Sequence, residues 1–182
     1  MGKAFLAVLF AGLVAFGVAA QDEGFGLGGV MMGMVRLDLT ELNAVLDRAN
    51  YPELRREMLV IGGGGGGGVT RGAAFGGIGF SGTTDAIEGQ RRASLTFSFG
   101  GMTMERVGRL EERALLGIGG VIGGGTLELT VRSRYADDLQ DAITDPTTAH
   151  LNRGFFGGMV HLRLQLQLLE WMSLEGWAGY IV

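Results

Sequence analysis

The strongest pattern along the chain is alternation with period two. Val160-His161-Leu162-Arg163-Leu164-Gln165-Leu166-Gln167-Leu168 puts five aliphatic residues on one face and His161, Arg163, Gln165 and Gln167 on the other. Thr126–Arg132, Ser94–Phe99 and Val35–Leu39 repeat the pattern in shorter form. Each predicts a strand with one apolar and one polar face, as in antiparallel sheet. Gly24–Met34, Ala73–Phe80 and Ala114–Ile122 are apolar but diluted with glycine, and they predict further strands. Met58-Leu59-Val60-Ile61 predicts another.

Two segments switch to helical spacing. From Thr40 to Asn50, Leu42, Val45, Leu46 and Ala49 fall at i, i+3, i+4 and i+7, with Asp38 or Thr40 available as a cap and Pro52 as a stop. Ala136–Thr144 is a shorter helical stretch that turns Leu139 and Ile143 inward and ends at Asp145-Pro146. The expected fold is therefore mainly β, an antiparallel glycine-rich sheet or barrel-like structure with two short helices (α+β).

Residues 1–20 are of different material. Lys3, the only lysine, precedes the uncharged apolar run Ala4–Val18, and Val18-Ala19-Ala20 leads into the polar Gln21-Asp22-Glu23. This order fits an export signal cleaved after Ala20, and the run is short for a bilayer-spanning helix. The expectation is a signal peptide at 1–20 and a single glycine-rich β domain at 21–182.

Composition narrows the chemistry. The 182 residues include 35 glycines and no cysteine, which removes disulfides, thiolate metal sites and a cysteine nucleophile. A formal charge of −4 offers no general attraction to nucleic acid. Gly62–Gly68 is followed by Val69-Thr70-Arg71, so the lysine and hydroxyl pair of a phosphate-binding loop are missing and no nucleotide site is expected. Seven consecutive glycines are costly to order, which favours a mobile loop leaving a strand. The alternative is a glycine surface packed against a second sheet or subunit.

His150 and His161 are eleven apart with no zinc-hydrolase motif, and His161 reads as a solvated or hydrogen-bonded strand residue beside Arg163. Asp137, Asp141 and Asp145 line one side of the second helix, where a solvated face is favoured over a calcium site. Ser81 lacks the second glycine of a nucleophile elbow, and Glu111 and Glu112 are adjacent, so in a strand they point to opposite faces. No catalytic, cofactor or metal residue is assigned, and no enzyme is expected.

Two functions remain. One is an outer-membrane-associated barrel: Val160–Leu168 has the length and alternation of a membrane-crossing strand, with Phe155, Phe156 and Trp171 as interfacial aromatics. Against it stand the sparse aromatics and the residues taken up by the two helices. The other is a soluble secreted β-protein that is structural or self-associating. Met31, Met32, Met34, Met102 and Met104 read as core rather than as a soft apolar surface. Partners would be a lipid bilayer or further copies of the chain, through apolar strand faces. Glu41-Leu42-Asn43-Ala44-Val45-Leu46, then Tyr51-Pro52-Glu53-Leu54, then the Gly62 run, resembles a group of uncharacterised glycine-rich exported bacterial proteins with an L-N-x-x-L, P-x-L, G-G-G-G order. The resemblance covers roughly residues 24–80 and implies a bacterial envelope protein without a known reaction.

Overall fold

The computed structural model describes residues 6–18, 24–69, 71–133, 148–169 and 172–182. It is antiparallel β with one helix among the described residues: β1 (Leu6–Val18), β2 (Gly24–Arg36), α1 (Thr40–Arg48), β3 (Glu57–Val69), β4 (Gly72–Glu88), β5 (Arg91–Glu111), β6 (Ala114–Arg132), β7 (Thr148–Leu169) and β8 (Met172–Ile181). Each strand pairs with the next in sequence, and β1 pairs with β8 as well as β2, so the pairing runs in a circuit. Without β1, strands β2–β8 are an open seven-stranded sheet. The segment with the leader-like pattern therefore supplies β1.

The expected strands are present, several of them longer than their sequence pattern, except Val35–Leu39: only Val35 and Arg36 belong to a strand, the end of β2, and 37–39 lead into α1. Ala114–Ile122 and Thr126–Arg132 are one strand, joined through Gly123–Gly125. Gly100-Gly101 and Gly157-Gly158, which follow or precede the alternating runs, lie inside β5 and β7. The Gly62–Gly68 run is not a mobile loop. It forms most of β3, pairing residue by residue with β2 and β4. The hydrogen-bonded ladder on both sides offsets the ordering cost.

Crowding on the concave face explains why glycine is needed there. A Cβ on Gly64 would meet the Gly77 carbonyl at 2.8 Å, and one on Gly66 would lie 2.8 Å from Gly76 Cα and closer still to the Phe75 carbonyl. Gly101 and Gly123 face each other across β5 and β6 under the same restriction. The sheet curls so tightly that the neighbouring backbone occupies the space of a side chain.

Side chains alternate between a buried inward face and an outward face, and the content of each face changes along the strands. Towards the end where β4 hands over to β5, Val35, Met58, Val60, Phe80, Leu95, Phe97 and Phe99 are buried. Phe97 and Phe155 stack with centroids 5.8 Å apart, and Phe80 tilts against Phe99 at 5.7 Å. The link from β2 to β3 carries α1 and buries Leu46 and Leu54 on this apolar core. Arg91 donates to the Asn50 carbonyl, tying the helix's left-handed end residue (φ 57°) to β5.

The helix departs from its expected stripe. Val45 is exposed while Asn43 is buried, because the Asn43 amide donates to the Leu54 carbonyl (2.9 Å) and accepts from the Leu54 amide (3.1 Å). Those two bonds rotate the helix towards the Leu54 segment. Asp38 accepts from the Thr40 amide and hydroxyl, which holds its carboxyl below the ordinary range. The second expected helix, 136–144, lies outside the described residues.

Replacing Gly66 by Ala is expected to destabilise the protein by about 2 kcal/mol, because rigid backbone stands in the way. Gly108→Ala, with nothing within 4 Å of the new methyl, is expected to be neutral or slightly stabilising. Urea unfolding of the two variants beside the parent chain checks this.

Candidate functional site

Towards the opposite end, where β3 hands over to β4, the inward face becomes charged. Glu105 on β5, His161, Arg163 and Gln165 on β7, and Ser173 and Glu175 on β8 are all more than nine-tenths buried. The alternation that put His161, Arg163 and Gln165 on one side of β7 is the feature that turns them inward together. The aliphatic set is then outward: Leu162, Leu164 and Leu166 are 51%, 41% and 40% exposed.

Arg163 is the hub. Its Nε donates to Glu105 Oε2 at 2.8 Å, and its Nη1 donates to Glu175 Oε1 and Gln165 Oε1, both at 3.0 Å. The guanidinium carbon lies 5.7 Å from the Phe25 ring centre and 5.9 Å from that of Trp177. His161 Nε2 is 3.1 Å from Glu105 Oε1, and Trp177 Nε1 donates to Glu175 Oε2 at 3.1 Å. The His161 ring packs on Trp177 with centroids 4.5 Å apart. Each carboxylate thus receives two donors, as a buried charge requires.

Glycines on β6 make room for this network. A Cβ on Gly117 would come within 2.8 Å of Glu105 Oε2, and one on Gly119 within 2.7 Å of Glu105 Cγ. A cavity of ≈ 520 Å³, counted to its open mouth, adjoins the cluster. Glu105, Arg163, Glu175 and Trp177 line one side, and the bare backbone of Gly64–Gly67 forms another. Phe80, Phe97, Phe99 and Phe155 fill the interior beyond it, which makes a cup rather than a pore.

Of the candidate catalytic and metal residues within the described residues, His161 is the one that enters the cluster, as a hydrogen-bonded and not a solvated residue. His150 faces outward at the other end, where its Nδ1 meets the Thr130 hydroxyl at 2.9 Å. Ser81 is exposed on the outer face of β4, and Glu111 ends β5 beside Glu112 in the following turn. Asp137, Asp141, Asp145 and Trp171 lie outside the described residues. Among the described residues no group of histidines and carboxylates is arranged to hold a metal ion. The sequence reading missed Glu105 and Glu175; their only signal is the short alternation of Met102-Thr103-Met104-Glu105 and Ser173-Leu174-Glu175.

The outer face reverses the inner one. Outside the charged cluster stand Phe75, Met102, Met104, Ile118, Ile122 and Val160, all more than half exposed. Of the methionines read as core, only Met31 is buried; Met32, Met34, Met102 and Met104 face outward. Outside the phenylalanine core, Ser81 and Thr83 on β4, Ser94, Thr96 and Ser98 on β5, and Thr126, Glu128 and Thr130 on β6 form a polar collar. Cross-strand hydroxyl contacts join Thr83 to Thr96 (2.9 Å) and Ser98 to Thr126 (2.8 Å).

No helix among the described residues is long and apolar enough to cross a membrane. Comparison with protein-family models, curated proteins and solved structures finds no match to the chain.

Arg163→Met takes the guanidinium from two buried carboxylates, leaving each with one donor, and is expected to cost about 3–5 kcal/mol. Adding Glu105→Gln and Glu175→Gln to it is expected to recover most of that loss. Unfolding midpoints of the single and triple variants check the coupling.

Proposed function

We propose that the chain is a non-enzymatic bacterial cell-envelope protein that sits in the outer membrane as an eight-stranded β-barrel, in which Leu6–Val18 is kept as the first strand instead of being removed as a leader. The register supports this. From Phe10 the pairing leads through Gly33, Val60, Gly82, Phe97 and Leu127 to Arg153. In the other direction it leads through Trp177 to Arg163, ten residues further along β7. For eight strands this stagger corresponds to a tilt of about 41° and a radius of about 8 Å. Each residue then advances about 2.5 Å along the axis, and each step to the next strand shifts the level by about 3 Å.

The observation that carries the reading is a planar polarity boundary. On that common axis the first polar outward residues, Arg36, Glu57, Ser81, Ser98 and Thr126, fall within about 7 Å of one another although they come from five strands. From that plane to the short-link end, the apolar belt is about 25 Å tall, the height of the lipid-facing band of outer-membrane barrels. Arg36 and Glu57 meet at 3.5 Å on the boundary. Apart from Arg106 near its edge, charged groups turn inward within the belt and outward below it, the pattern expected when the solvent outside changes from lipid to water.

The collar and α1 then form a water-facing body, and the cup lies at membrane depth. With both carboxylates tied to donors and the interior filled beyond them, the arrangement favours a binding or structural role over catalysis.

Leu162 lies close to the middle of the belt. Leu162→Arg is expected to weaken folding into vesicles by about 2–4 kcal/mol, while Thr96→Arg in the collar is expected to have little effect. Cell fractionation gives the companion result: recovery in a detergent-requiring, heat-modifiable outer-membrane fraction supports the barrel. Recovery as a soluble species without detergent would overturn it and favour a secreted, self-associating sheet.

A further inference from the structure

The arginines divide by partner. Arg36, Arg92 and Arg163 face carboxylates. Arg71, Arg106 and Arg113 are exposed and have no ion pair among the described residues, and all three gather at the short-link end. Arg71 belongs to the link between β3 and β4, and Arg113 to the link between β5 and β6. Arg106 continues the outward row of β5 after Met102 and Met104, with Ala73 and Ile118 as its partners on the flanking strands.

Arg106 is therefore a cation on the lipid-facing side of the belt, about 8 Å along the axis from the level of Arg71. Such a position is costly unless the guanidinium rises along its own aliphatic stem to the headgroup layer. Among the described residues, the other charged groups outside the buried cluster at this end are Arg109, whose row faces inward, and Glu111 and Glu112 at the turn. Glu105, the nearest carboxylate in sequence to Arg106, is turned inward to Arg163. Guanidinium groups match phosphate in geometry as well as charge.

We propose that Arg71, Arg106 and Arg113 form a binding surface for the phosphate groups of anionic lipid headgroups, Arg106 rising from the belt to meet the other two. The proposal rests on the membrane reading above. The full chain is folded into phosphatidylcholine vesicles with and without phosphatidylglycerol, extracted, and its retained lipids are counted by native mass spectrometry. Phosphatidylglycerol is expected to be retained over phosphatidylcholine. Arg71→Gln, Arg106→Gln and Arg113→Gln are each expected to lower that preference about fivefold, whereas Arg55→Gln, in the α1 link, leaves it unchanged. Inorganic phosphate is expected not to displace the lipid; displacement would reassign the surface to free anions and overturn the lipid proposal. Insertion into both vesicle types with no lipid preference, or a preference that survives all three substitutions, overturns the proposal while leaving the barrel standing. Failure to insert in either vesicle, read by protease protection, overturns the membrane reading instead.

Discussion

The fold depends on how closely neighbouring backbones approach on the concave face of the sheet. At Gly62, Gly66 and Gly68 on β3, Gly76 and Gly82 on β4, and Gly101, Gly119 and Gly123 further round, the adjacent strand occupies the place of a side chain. Any other residue would force the strands apart and flatten the sheet. The curl that results lets β1 meet both β2 and β8, and it brings side chains from β5, β7 and β8 within hydrogen-bonding distance of one another. The glycine excess is thus a condition for curvature, and the Arg163 network is one of its consequences.

Curvature also creates an inside, and the chain fills it with two different materials. Along β5 the inward residues run from Ala93, Leu95, Phe97 and Phe99 to Thr103 and Glu105, while the outward ones run from Ser94, Thr96 and Ser98 to Met102 and Met104. Both rows change character across Gly100-Gly101. Such a reversal has no advantage in a uniform solvent. In the proposed membrane setting it removes the penalty of apolar surface in water at one end and of exposed charge in hydrocarbon at the other. The outward change recurs on β4 at Ser81 and on β6 at Thr126, and the inward one on β7, where Phe155 and Met159 give way to His161 and Arg163.

Much of the local structure was legible in the sequence because period two and period 3.6 leave direct signatures. Val160–Leu168 was read as a strand with its two faces sorted, but alternation alone does not say which face is inside. That needed the tertiary arrangement, and it decided whether His161 was solvated or buried. The first helix was recognised, yet its inward face was set by Asn43 bonding to Leu54, a contact that no hydrophobic stripe records. Gly62–Gly68 was misread because glycine has poor strand propensity; the partners that order it, on β2 and β4, are visible only in the pairing. The Glu105 cluster joins residues 56 and 58 positions apart, a distance over which spacing rules carry no information.

The most direct test of the central claim uses the absence of cysteine from the chain. Single cysteines at Met102, Leu162, Thr96 and Thr126 are spin-labelled in protein folded into vesicles, and collision with oxygen is compared with collision with a water-soluble nickel chelate. Labels at 102 and 162 are expected to meet oxygen and escape the chelate, and labels at 96 and 126 to do the reverse. Free access of the chelate to labels at 102 and 162 would contradict a lipid-facing belt.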